Sequence, residues 1–233
     1  MISLRLRPAA RLGVLALLPA CALWNPDHEP EPDAVLAALL ADHASDDGFA
    51  PHRDEVRRER LRYDVERLAT RHPNHVPSQV AAAAIALDAG DRMRAQAYAD
   101  RALALAPTDV EARTLRVRIA VADGATELAR RLVDDGLRAR PDAAGLHESS
   151  AWLHQLAGEA DAALAALTLA ERLGAPAARV AFHRGLVEEQ RGDVDAAERH
   201  YRSALAADAG CEAAARRLAG LVARRPDAGG AAR

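Results

Sequence analysis

Residues 185–204 read GLVEEQRGDVDAAERHYRSA, and the placing of Gly185, Gly192, Ala197 and Ala204 within them decides the fold. Gly192 is the last of four glycines, Gly90, Gly124, Gly158 and Gly192, set 34 residues apart. Five residues beyond each stands Ala95, Ala129, Ala163 or Ala197, and twelve beyond stands Ala102, Gly136, Ala170 or Ala204. Pro107 and Pro141 follow in the same register, continued as Ala175 and Ala209 downstream and as Pro73 one period upstream. A fixed period of this length marks a stacked architecture in which one supersecondary unit recurs.

Each position has a physical reason. The glycine takes the backbone conformation that ends one helix and turns tightly into the next. Asp91 and Asp193, which follow two of the glycines, offer a side-chain oxygen to the free N–H groups of that next helix. Small residues let the paired helices approach closely, and proline stops the second helix before the following unit begins. Leu103, Leu105, Leu137, Leu173 and Leu205 are expected to fill the seam between neighbours. No pair hides its apolar face alone, so stacking supplies the stability. Alanine and leucine dominate the apolar residues and only seven aromatics occur, so local preference is helical along nearly the whole chain.

This pattern resembles the tetratricopeptide repeat family: a small first-helix residue (Ala83, Val117, Ala151, Gly185), the glycine turn, alanine, a second small residue, then proline. Tyr201 keeps the family's second-helix aromatic, while its other large aromatics are mostly replaced by Ala, Val or Leu. The resemblance covers about residues 76–209 as four repeats and implies an all-α, right-handed α-solenoid of stacked helix hairpins. Upstream, Asp33–Ala44 and Arg53–Arg71 read as two helices separated by Ser45-Asp46-Asp47-Gly48. They read as a degenerate, capping helix pair over residues 33–75, its second helix dense in charge with Val56, Leu61, Val65 and Leu68 at helical spacing. Glu212–Arg224 reads as a closing helix within residues 210–225, and residues 226–233 as a frayed tail.

The amino terminus reads as an address. Arg5, Arg7 and Arg11 precede the apolar run from Leu12 to Leu18, and Leu18-Pro19-Ala20-Cys21 resembles a bacterial lipobox with proline two before the cysteine. The resemblance implies a signal peptide over residues 1–20 and lipidation at Cys21, with ordinary cleaved secretion as the alternative. The run is far shorter than the roughly 20 residues that span a bilayer. Ala22 after the cysteine implies, for a Gram-negative source, an outer-membrane anchor facing the periplasm. Residues 21–32, acidic and rich in proline, read as a tether.

All 31 basic residues are arginine, and the net charge of −3 becomes about −6 once the leader is set aside. A chain without a strongly basic region argues against nucleic acid as the partner, since duplex binding depends on neutralising many phosphates. No phosphate loop, nucleophile elbow or metalloprotease helix motif occurs, so no catalytic residue, cofactor or metal is expected. Cys211 reads as a small packing residue. His147 and His154 lie two turns apart on one helix face, too far for i, i+4 chelation. His72 and His75 flank a helix terminus and read as a helix-end cation or as solvent-exposed. Asp134-Asp135-Gly136 sits inside a predicted second helix and lacks the later ligands of a calcium loop.

In the family that this chain resembles, first helices line a concave groove in which a protein or peptide partner lies. Carried onto this chain, the groove positions are Thr114, Arg118 and Val121; then Glu148, Trp152 and Gln155; then Phe182, His183, Leu186 and Glu189. Trp152 and Phe182 are the candidate hot spots, with plain core packing as the competing role. The resemblance implies a non-enzymatic, lipid-anchored envelope scaffold assisting pilus, secretin or outer-membrane assembly. The alternatives are a soluble secreted adaptor, or an accessory subunit of an envelope polysaccharide or peptidoglycan enzyme system.

Overall fold

The computed structural model describes residues 30–44 and 51–224, and over them it contains eleven α-helices and no strand. The lipobox, most of the tether, the Ser45–Gly48 connection and the tail lie outside the described residues. Two compact units divide between Ser78 and Gln79, inside α3 (Val76–Asp88).

The first unit pairs α1 (Pro32–Ala44) with α2 (Pro51–Arg71), near the expected bounds. Val65 and Leu68 are buried, Leu61 is half-buried and Val56 is 70% exposed, which corrects the expectation of a four-residue apolar stripe. Val56 stands nearest the start of α2, beyond the reach of the packed turns. His75 is not fully exposed, and both of its ring nitrogens have partners. Its Nδ1 accepts from the Ser78 N–H at 3.3 Å, and its Nε2 donates to Asp33 Oδ1 at 2.9 Å, tying α1 to the start of α3.

In the second unit the remainder of α3 is followed by α4 (Arg92–Leu105), α5 (Val110–Ala122), α6 (Thr126–Ala139), α7 (Ala144–Leu156), α8 (Ala160–Arg172), α9 (Ala177–Arg191), α10 (Val194–Ala207) and α11 (Glu212–Arg224). From α4 to α11 successive helices pack in order, as hairpins stacked into an α-solenoid. The four periodic glycines all have φ between +73° and +83°. At each turn the residue after the glycine donates its N–H to a carbonyl five residues back, Asp193 to Glu188 at 3.0 Å and Asp91 to Ala86 at 2.9 Å. This closes the last helical turn and satisfies carbonyls that would otherwise be orphaned. Asp91 and Asp193 also cap α4 and α10 as expected, accepting from the N–H groups of Arg94 and Ala196. Asp109 caps α5 in the same way, a role outside the glycine period and therefore missed.

Between hairpins the chain turns at Pro107 and Pro141. Arg113 Nη2 donates to the Pro107 carbonyl and His147 Nε2 to the Pro141 carbonyl at 2.8 Å. These two side chains are 34 residues apart and do the same job. Where the period offers Ala175 in place of proline, Gly174 ends α8 with φ +92°.

The core is alanine with scattered larger residues: Ile119, Val133, Leu146, Leu167, Val180, Val187 and Tyr201. Close approach depends on missing Cβ atoms. A methyl group added at Gly136 would come within 2.5 Å of Arg113 Cδ and 2.8 Å of Leu146 Cδ1. Leu103, Leu137 and Leu205 are half-buried in the seam, but Leu105 and Leu173 are exposed, a correction to the expected set. Both fall at the ends of second helices, past the last packed turn.

Candidate inner-face site

Helix α5 touches α7, and α7 touches α9, while no comparable contact joins α6 to α8 or α8 to α10 among the described residues. First helices therefore lie on the inside of the stack and second helices on the outside. This geometry places Thr114, Arg118 and Val121 on one first helix, Glu148, Trp152 and Gln155 on the next, and Phe182, His183, Leu186 and Glu189 on the third.

Their exposure is uneven, where the sequence reading takes them as groove positions with core packing as the competing role for Trp152 and Phe182. Glu148 is buried, 9% exposed at its side chain, and is held by Arg179 through Nε at 2.8 Å and Nη2 at 2.7 Å. Glu189 accepts from the Tyr201 hydroxyl at 2.6 Å and faces Arg217 at 3.5 Å and Arg224 at 3.7 Å. Arg118 reaches back to Asp88 at 3.5 Å. The physical reason is common to all three: neighbouring first helices bring groups from consecutive repeats face to face, so the acids and bases of the inner face cross-link the stack.

Trp152 is half-buried, and its indole N–H has no partner among the described residues. Phe182 packs against the carboxy-terminal core, its ring 5.9 Å from Tyr201 and 5.6 Å from His183. Phe182 thus belongs partly to the core, and Trp152 is likewise half-buried. At the carboxy-terminal end of the face, Gln155, Leu186, Glu189, Gln190 and Arg217 line a shallow depression of about 270 Å³. Gln190 and Arg217 escape the sequence reading. Arg217 was legible in principle, since it lies 34 residues after His183 and α11 continues the first-helix register.

Burial holds the His183 imidazole well below its ordinary pKa, at about 4, with the Arg179 charge adding to the effect. Burial of the Tyr201 phenol and its bond to Glu189 keep that hydroxyl protonated. For His183 the folded value lies below the unfolded 6.5, so between the two the unfolded chain binds the extra proton. Stability is complete above the unfolded value and is lost as pH falls toward about 4. His183→Gln is expected to flatten that part of the curve by on the order of 2 kcal/mol, read as the difference between wild-type and variant urea midpoints across the window.

His147 serves the Pro141 turn, and His154 Nδ1 lies 2.6 Å from Glu159 Oε2. Cys211 is half-buried against the carboxy-terminal cluster, as expected of a packing residue. Asp134 and Asp135 sit within α6, and no group of three metal-ligating side chains occurs among the described residues.

The arrangement is similar to the crystal structure of TTC0263, a thermophilic tetratricopeptide-repeat protein of Thermus thermophilus. The TM-score is 0.70 at 20% identity, over 83% of this chain and 100% of that one. The fold is that of the tetratricopeptide repeat. A tetratricopeptide repeat protein from Parabacteroides merdae ATCC 43184 matches with TM-score 0.51 at 15% identity, over 81% of this chain and 72% of that one. Human IFIT1, solved as a dimer with m7Gppp-AAAA, shares this tetratricopeptide geometry with TM-score 0.67 at 15% identity, over 83% of this chain and 47% of its own. No family model and no curated protein sequence matches the chain.

Proposed function

We propose that this chain is a non-enzymatic scaffold that binds another protein along the inner face of its first helices. The observation that supports the reading is the unbroken succession of α5, α7 and α9, the helices that carry Trp152 and Phe182 and their polar neighbours. Half-buried aromatic side chains in such a setting dominate binding energy, because they bury large area at little entropic cost. Trp152→Ala is expected to weaken capture of the partner from cross-linked cells at least tenfold while Tm falls by only a few degrees. A partner retained in full by Trp152→Ala would count against the inner face. Phe182→Ala is a poor discriminator, since its ring also supports Tyr201.

Anchoring belongs to the same proposal. The arginines before the Leu12–Leu18 run and the residues up to Cys21 support lipidation there and a place in the bacterial envelope, assisting assembly of a pilus, secretin or outer-membrane complex. Among the described residues no helix is long and apolar enough to cross a membrane. Intact mass of the membrane-fraction protein tests the anchor: it should correspond to a chain starting at Cys21 plus acyl groups. An unmodified mass in the soluble fraction would favour the secreted adaptor instead. The balanced charge supports a protein partner over nucleic acid, and titration with single-stranded RNA is the control that the IFIT1 structure recommends.

A further inference from the structure

The charged candidates of the inner face, Arg118, Glu148 and Glu189, are each held in an ion pair. Running along the stack, Asp88 meets Arg118, Glu148 meets Arg179, and Glu189 meets Arg217 and Arg224. Arg224, the second guanidinium on Glu189, stands at the carboxy-terminal end of α11, where the helix dipole offsets a positive charge. No stretch of the face therefore presents a field of one sign. A charged partner would have to break an existing pair, and at Glu148 that would strand a carboxylate already out of water.

Among the ten candidate positions and the residues lining the depression, what is left unpartnered is neutral. The carboxamides of Gln155 and Gln190, like the Trp152 indole N–H, make no hydrogen bond among the described residues, and they sit beside Leu186 on adjacent first helices. A carboxamide both donates and accepts, which suits the N–H and C=O groups of an extended or turning backbone rather than an ionised side chain. We infer that the partner segment is an uncharged, apolar stretch of polypeptide, seated over Trp152 and Leu186 with its backbone bonded to Gln155 and Gln190. This inference rests on the inner-face reading and narrows it to one class of ligand. Affinity then arises from apolar burial and neutral hydrogen bonds, with little contribution from long-range attraction, so it should be nearly independent of salt.

The test pans a displayed library of random peptides of about 12 residues on the full chain and, in parallel, on its Trp152→Ala variant. The expected result is enrichment of peptides that are lost on Trp152→Ala, contain fewer charged residues than the unselected library, and change Kd less than about twofold between low and high salt. Trp152-dependent peptides enriched in acidic or basic residues would overturn the uncharged class while leaving the inner face standing. Peptides that bind equally well to Trp152→Ala would overturn the inner face itself. A library that yields no enrichment on either protein also overturns the proposal. A Gln155→Leu/Gln190→Leu double variant separates the backbone bonds from plain burial: it should weaken the selected peptides about tenfold or more, as expected for one or two lost hydrogen bonds. Unchanged affinity would remove the carboxamides from the site.

Discussion

Tyr201→Ala is expected to lower stability by about 3–5 kcal/mol and the melting temperature by roughly 10 °C. Tyr201 is wholly buried, stacks against Phe182 and donates its hydroxyl to Glu189 at 2.6 Å. Its ring fills a space that exists only because residue 185 is glycine: a Cβ there would lie 2.4 Å from Cε1 and 2.6 Å from Cδ1. Removing the ring forfeits its burial, leaves a cavity that the α9–α10 hairpin cannot easily close, and leaves Glu189 without its neutral donor. The same geometry makes a sharper statement. Gly185→Ala alone should cost about 1–3 kcal/mol through overpacking. In the Tyr201→Ala background it should be neutral or favourable, because the methyl enters vacated space and alanine is the better helix former by about 1 kcal/mol. A double-mutant cycle by urea denaturation reads the coupling directly, and strict additivity would refute the knob-and-hole account.

A chain ended after Gly210, without α11, is expected to lose about 3–6 kcal/mol locally. Leu221 and Ala214 on that helix are buried, with Leu218 half-buried beside them, and together they cover Ala181, Ala197, Tyr201 and Ala204. Arg217 and Arg224 depart with the helix and leave Glu189 facing water. Each hairpin touches only its neighbours, so the loss should stay at the end of the stack. Amide exchange in α9 and α10 should quicken by about a hundredfold or more, while α5 and α6 remain protected as before. An equal rise in exchange along the whole solenoid would mean that it unfolds as a single cooperative unit.

The inner face was only partly legible beforehand. The resemblance to tetratricopeptide repeats implied which first-helix positions line the groove, and all ten candidates lie on α5, α7 and α9. It gave no sign that Glu148 is buried or that Arg118, Glu148 and Glu189 are spoken for by Asp88, Arg179 and Arg217. Those partners are separated by about one repeat in sequence but not by a fixed number of residues, so no spacing rule finds them. Leu105 and Leu173 failed as seam residues for a related reason: helical periodicity assigns a side to a residue but not how far along the helix the neighbour extends.

By itself the sequence determined where the helices begin, end and turn. Those features are local: a left-handed backbone at Gly90, Gly124, Gly158 and Gly192, caps at Asp91 and Asp193, and breaks at Pro107 and Pro141 depend on the residue and its immediate chain neighbours. Only the tertiary structure decided which polar groups remain available to a partner. Pairing depends on the distance between side chains from different hairpins, and the stacking of one helix on another sets that distance.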